Sequence, residues 1–205
     1  DIGFFTIVGH GVPPALYETL RAESLAFFRR PAAERAAVAQ PASKVSRGYS
    51  GHATRALAYS LGTQTPPDLQ QSYAMGPIDP PPADAVGTPA EAAFFHPNFW
   101  PQDQPALRAA FEAYYRSMEG LATEVLRMFA LALGLPERHF DTTCDRHTST
   151  MRAILYAAQT EPPAPGQLRA GVHSDYGTLT ILRGDDVPGG LQVKLRHGDW
   201  VDVHP

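Results

Sequence analysis

One stretch limits the possible folds more than any other. Between Pro105 and Leu133 the apolar residues Leu107, Phe111, Tyr114, Met118, Leu121, Val125, Met128 and Ala132 recur every three or four positions, drawing one continuous stripe along an α-helix. Gly134 and Pro136 end it, the first by its ease in a left-handed backbone, the second because it offers no amide donor. The stripe's aromatic and Met residues sit at packing spacing with no polar group among them, so it reads as core rather than as a cofactor pocket. From Thr150 the pattern changes to short strands, at Met151 to Ala157, Gly171 to His173, Thr178 to Leu182, Leu191 to Leu195 and Trp200 to Val203, with turn signals between them. Short strands at that spacing point to a β sandwich or barrel.

The first third of the chain reads as a strand-turn-helix unit. Ile2 to Val8 is strand-like, Gly9-His10-Gly11 makes a turn, and Pro13-Pro14 opens a helix carrying Leu16, Leu20, Leu25 and Phe28. Pro31 suits the first turn of a short helix over Ala32 to Ala39, which Pro41 closes. From Lys44 to Ala90 glycines and prolines are frequent and Pro80-Pro81-Pro82 forbids a helix, so loops with short strands are expected there, one of them at Gln70 to Met75. Because the chain opens at Asp1 rather than Met, directly onto a strand with nothing to cover it, it is expected to be cut at its start.

Composition narrows the partners. Of 205 residues 43% are hydrophobic and 19% charged, and no apolar run approaches the roughly 20 residues of a membrane helix. The net charge is −4 and the 17 Lys and Arg are scattered, which excludes an electrostatic footprint for nucleic acid or anionic lipid and leaves a small molecule as the expected partner. The single cysteine, Cys144, cannot form an internal disulfide, which fits a reducing cytoplasm, and it reads as a small half-buried apolar side chain.

A His-x-Asp pair on a strand puts an imidazole and a carboxylate on one face, because alternate residues project to the same side. With a second His these become the facial triad that holds Fe(II) and leaves open positions for oxygen and an organic co-substrate. The spacing occurs three times, at His139 and Asp141, His173 and Asp175, and His197 and Asp199, so spacing alone does not choose. His139 and Asp141 fall in a loop after the long helix, and His197-Gly198-Asp199 reads as a hairpin turn facing water. His173 and Asp175 end a predicted strand and lead into Thr178 to Leu182, so a sheet is expected to hold them, with a solvated loop as the alternative. His52, His96 and His147 have no carboxylate at ligand spacing and read as surface or packing residues.

The surroundings of the second pair carry a resemblance. Ala170 to Leu182 with Pro188-Gly189-Gly190-Leu191-Gln192-Val193 and Gly198-Asp199-Trp200-Val201-Asp202-Val203, preceded in order by Gly3-Phe4-Phe5, Gly9-His10-Gly11-Val12, Arg47-Gly48-Tyr49 and Asn98-Phe99-Trp100-Pro101, resemble the isopenicillin N synthase-like family of Fe(II)/2-oxoglutarate oxygenases over nearly the whole chain. The resemblance implies a double-stranded β-helix (jelly roll), here incomplete, behind an α/β N-terminal segment and a long supporting helix. It divides the chain into an N-terminal dioxygenase segment (1–100), a supporting helical region (101–147) and the first part of the jelly roll (148–205). It implies that His173 and Asp175 bind iron and that Tyr156 contacts the 2-oxoglutarate co-substrate, although the Asn and Pro that flank this tyrosine in many members are Ile154 and Ala157 here. His10 resembles a turn residue of the family, and His204 an ordinary strand-end position rather than the second iron-binding His. That His and the Arg-x-Ser pair that binds 2-oxoglutarate lie on later strands in the family, so the chain is expected to be cut at its end also. The implied activity is oxidation of a small organic substrate by O2 with Fe(II) and 2-oxoglutarate: hydroxylation, desaturation or cyclisation. Two other readings stay open: an oxidase using the same iron without 2-oxoglutarate, as isopenicillin N synthase does, and a non-catalytic truncated remnant.

Overall fold

The computed structural model describes residues 3–41, 45–187 and 190–203. Asp1, Ile2, Lys44, the Pro188-Gly189 part of the family motif and His204 lie outside the described residues. The described residues form four α-helices: α1 (Pro14–Phe28), α2 (Ala32–Ala36), α3 (Pro89–Phe94) and α4 (Pro105–Ala132). Five short strands accompany them: β1 (Gly48–Ser50), β2 (Gln71–Met75), β3 (Met151–Leu155), β4 (Gln192–Lys194) and β5 (Trp200–Asp202). They form a three-stranded antiparallel sheet, β1-β2-β3, and a separate antiparallel hairpin, β4-β5.

The long helix falls where the apolar period puts it, with Pro105 in its first turn and Gly134 at φ 72° just past its end. It packs along α1, and both lie against the three-stranded sheet. Tyr73 of β2 sits at the centre, its ring 4.8 Å from that of Phe27 on α1 and 5.4 Å from that of Phe111 on α4, both edge-on. Its hydroxyl donates to the carbonyl of Phe99, which satisfies the one polar atom this ring carries into the core. Tyr115 donates to the Ser149 carbonyl at 2.9 Å and so ties α4 to the entry of β3. The apolar stripe is buried along its first half, whereas Met128 is 62% exposed and Ala132 is also exposed, because the last turns of α4 have little packed over them beyond the Phe5 ring against Phe129.

Two motifs quoted from the sequence turn out to be structural. Arg47 is 1% exposed, and its guanidinium donates to the carbonyls of Ser46, Phe94 and His96, which pins the chain around α3 beneath β2. Gly76 leaves the room for it, since a Cβ there would stand 1.8 Å from the Arg47 guanidinium. Asn98 closes the same corner, accepting from the Gly76 amide at 2.8 Å and donating to the Pro77 carbonyl at 3.1 Å.

Several expectations are corrected. Residues 4–8 form no strand; among the described residues no strand lies alongside to take up their backbone groups, and Phe5 and Val8 stand exposed. The short second helix ends at Ala36 rather than Ala39, because Ala39 turns to bridge Tyr49. Helix α3 was unforeseen, although Thr88 and Glu91 make a capping box: the Glu91 amide donates to Thr88 Oγ1 at 3.2 Å and the Gly87 amide to Glu91 Oε2 at 3.0 Å. Strands at Gly171–His173 and Thr178–Leu182 are absent among the described residues, which form helices with small antiparallel sheets. No described helix is long and apolar enough to cross a membrane.

In place of a strand ladder, the segment after residue 182 is fastened to α1 by charge. Arg21 donates to both oxygens of Asp185, at 2.6 and 3.1 Å, Tyr17 donates to the same carboxylate at 2.9 Å, and the Arg183 guanidinium lies over the Tyr17 ring. Arg21 and the Tyr17 hydroxyl hold the Asp185 carboxyl below its ordinary range. The stabilisation is therefore fully present above the unfolded carboxylate pKa of about 3.9 and is lost as pH falls through the lower folded value. Amide hydrogen exchange over residues 183–187, compared with that of α4, is expected to accelerate selectively as pH drops below about 4, and D185N is expected to show the faster exchange already at pH 7.

Candidate metal centre

His173 and Asp175 approach each other in space as in sequence, with Nε2 of the imidazole 3.4 Å from Oδ1 of the carboxylate. No sheet holds them. Instead, the chain before them is fastened to residues 67–69 at the foot of β2. Gln167 donates from its side chain to the Pro67 carbonyl at 2.8 Å, the Leu69 amide donates to the Leu168 carbonyl at 2.9 Å, and the Gly171 amide donates to Asp68 Oδ1 at 2.8 Å.

Asp68 is the residue sequence reasoning missed. It is 1% exposed, and its second oxygen accepts from the Leu57 amide at 2.7 Å, so one buried carboxylate fastens two loops together. Charge-assisted bonds from two backbone amides satisfy this carboxylate without a cation. Gly171 fits its place: a Cβ there would stand 3.1 Å from the Ala58 nitrogen and 3.2 Å from Asp68 Oδ1, tighter than an ordinary contact. No local pattern announces Asp68, because its partner lies 103 residues away.

The clamp reaches His173 through Gly171. The Gly171 carbonyl, an acceptor only, lies 2.8 Å from His173 Nδ1, so that nitrogen donates to it and Nε2 is left facing Asp175. An imidazole nitrogen and a carboxylate oxygen 3.4 Å apart are close enough to converge on one cation. A backbone carbonyl on the far ring nitrogen is also the usual way a ligating histidine is oriented. Both side chains are partly open to solvent, and imidazole with carboxylate suits Fe(II), so the pair fits a divalent iron as two of its ligands. Among the described residues no group of three or more His, Cys, Asp and Glu could hold a metal by itself.

The competing pairs differ. Asp141 is taken by Arg127 at 3.0 Å, which lowers its pKa, and no bond joins it to His139 among the described residues. His197 and Asp199 approach to 3.2 Å, but on the exposed tip of the β4-β5 hairpin, where Gly198 takes φ 104°. His147 does meet a carboxylate in space, Glu119 of α4 at 3.0 Å, which its sequence neighbours did not reveal.

Tyr156 follows β3 directly. Met151, Ala153 and Leu155 pack on the core, which leaves Arg152, Ile154 and Tyr156 on the opposite, open face. Burial of the Tyr156 phenol, and then the charge of Asp68, raise its pKa, against a smaller lowering by Arg152. The hydroxyl therefore stays protonated and able to donate, and the Asp68 influence puts it near the clamp.

Residues 1–103 match the family model described as non-haem dioxygenase in morphine synthesis N-terminal, and residues 147–205 match that of the 2OG-Fe(II) oxygenase superfamily. The chain belongs to the 2OG-Fe(II) oxygenase superfamily. Validamycin A dioxygenase of Streptomyces hygroscopicus subsp. limoneus is 33% identical over 203 residues, covering 97% of this chain and 54% of its own length. Proline hydroxylase buaE of Petromyces alliaceus is 30% identical, with 98% and 61% covered. Among solved structures, a full-length Neurospora crassa protein in complex with alpha-KG aligns with a TM-score of 0.76 at 29% identity, over 95% of this chain and 58% of that one. JOX2 in complex with 2OG, Fe and JA aligns with a TM-score of 0.71 at 25% identity, over 99% and 54%. The chain thus spans between half and two thirds of the length of these relatives.

If Asp68 carries the segment, replacing it strands two buried amides, at a cost of about 1–3 kcal/mol each. D68A in the full-length protein is expected to lower the unfolding free energy by a few kcal/mol and to weaken divalent metal binding about tenfold, as loss of an outer-shell support does. Urea unfolding and anaerobic metal titration measure both, and unchanged metal affinity would show that the clamp does not position His173.

Proposed function

We propose that the protein is a non-haem Fe(II)- and 2-oxoglutarate-dependent oxygenase that oxidises a small organic substrate with O2, and that His173 and Asp175 are two of its iron ligands. The observation that carries this reading is the bond from His173 Nδ1 to the Gly171 carbonyl, which fixes the ring with Nε2 turned to Asp175. Tyr156 is the proposed hydroxyl donor to a carboxylate of 2-oxoglutarate; its raised pKa keeps the proton needed for that bond. When bound, iron and 2-oxoglutarate supply the oxidising power for attack on a substrate C–H bond. The chain's own part is to orient the imidazole and to anchor the segment through Asp68 to a rigid sheet.

The proposed organisation keeps three parts: an N-terminal dioxygenase segment over 1–100, a supporting helical region over 101–147, and over 148–205 the start of the jelly roll typical of the superfamily. The two oxygenase family matches and the likeness to the Neurospora crassa protein and to JOX2 support it. The lone Cys144 and the scattered charge keep the cytoplasm as the proposed compartment and a small molecule as the partner.

In the full-length protein, H173A and D175A are each expected to weaken Fe(II) binding by more than about 100-fold, beyond the 10–100-fold usual for outer-shell partners. Anaerobic Fe(II) titration, with succinate release on admitting O2, reads the effect. Wild-type affinity in either variant would refute the assignment, and substrate oxidation without succinate would favour the oxidase reading.

A further inference from the structure

Asp68 separates two cavities. One, of about 200 Å³, is mostly apolar and backs onto Leu61, Leu168 and Val172. The other, of about 40 Å³, is a cleft lined by Arg55 and Arg152 together with Ser50, Thr54, Ser72 and Asp68. Arg55 donates to Gln40 Oε1 and Arg152 to Ser46 Oγ.

We propose that the cleft between Arg55 and Arg152 receives a carboxylate group of the organic substrate, so that this oxygenase acts on small carboxylic acids. The proposal rests on the oxygenase reading above and adds the substrate class. Two guanidiniums share one small cleft, close enough for the charge of Arg55 to act on Arg152. The single carboxylate there, Asp68, already has both oxygens taken by the Gly171 and Leu57 amides. Arg152 donates to Ser46 Oγ at 2.8 Å and has no carboxylate in ion-pair range among the described residues. Both arginines keep exposed surface, so an incoming anion can reach them, and Arg152 has no ion-pair partner among the described residues. A planar guanidinium pairs best with a planar carboxylate through two parallel N–H···O bonds, and the flanking hydroxyls of Ser50, Thr54 and Ser72 are further donors for it.

Placement ties the cleft to the reaction. Arg152 and Tyr156 share the open face of β3 and its extension, four residues and about 13 Å apart, while Asp68 borders the cleft and holds the segment that carries His173. The cleft is thus linked through Asp68 to the segment of the proposed metal ligands, and Arg152 is a separate residue from the co-substrate tyrosine.

The test uses the full-length protein saturated anaerobically with Fe(II) and 2-oxoglutarate, and a library of small carboxylic acids each matched with its primary amide. Thermal shift is read for the wild type, R152M and R152K, while the absorbance of the Fe(II)–2-oxoglutarate chelate reports the co-substrate in every variant. Acids, and not their amides, are expected to stabilise the wild type. R152M should bind those acids at least tenfold more weakly, R152K should recover part of that loss, and chelate formation should stay at the wild-type level in both. Equal response to acids and amides, acid binding unchanged in R152M, or no acid bound at all would overturn the proposal, as would a loss of 2-oxoglutarate affinity in R152M, which would assign the arginine to the co-substrate. A wild type that forms no chelate defeats the oxygenase reading itself, and the substrate class with it.

Discussion

A single buried carboxylate determines where the candidate metal ligands sit. Asp68 stands at the foot of β2, the central strand of the three-stranded sheet, and grips the Gly171 and Leu57 amides with its two oxygens. The residues around His173 belong to no strand, so their position is inherited from that grip and from the Gln167 and Leu168 bonds beside it. Gly171 passes the constraint on: its amide is held by Asp68 while its carbonyl holds His173 Nδ1. Rigidity is thus borrowed from a sheet about a hundred residues earlier in the chain, which in turn is fixed by the packing of Phe27, Tyr73 and Phe111 between α1 and α4.

The core was legible in the sequence because it obeys local rules. Helical spacing located α4 and α1 to within a residue or two, and the β2, β3, β4 and β5 segments were each found, slightly too long. What failed was whatever depends on a neighbour. The residues at 4–8 and 178–182 have the composition of strands, but a strand exists only where another pairs with it, and among the described residues none does. Helix α3 failed for a different reason: its Thr88-x-x-Glu91 signal was present but went unread amid the surrounding prolines.

The site was legible in part. Context and the resemblance favour the candidate pair His173 and Asp175 over its two rivals, and the geometry adds a physical difference between them. His197 and Asp199 lie as close together, yet only His173 has its far nitrogen held by a carbonyl that is itself anchored. The motif residues Arg47 and Asn98 carried the resemblance without carrying chemistry; they fold the loops around β2, through carbonyl contacts no sequence pattern specifies. Asp68 and Arg152 gave no sequence signal at all, since a carboxylate in a proline-rich loop and an arginine in a strand look ordinary until their distant partners are known.

The central claim is that this imidazole and this carboxylate grip one metal ion. A crystal structure of the full-length protein grown anaerobically with Fe(II), with the metal located by its anomalous scattering, tests it most directly. The account predicts a single strong peak about 2.0–2.2 Å from both His173 Nε2 and an Asp175 oxygen, with His173 Nδ1 still bonded to the Gly171 carbonyl. A peak bound elsewhere, or one that engages only one of the two side chains, would contradict it.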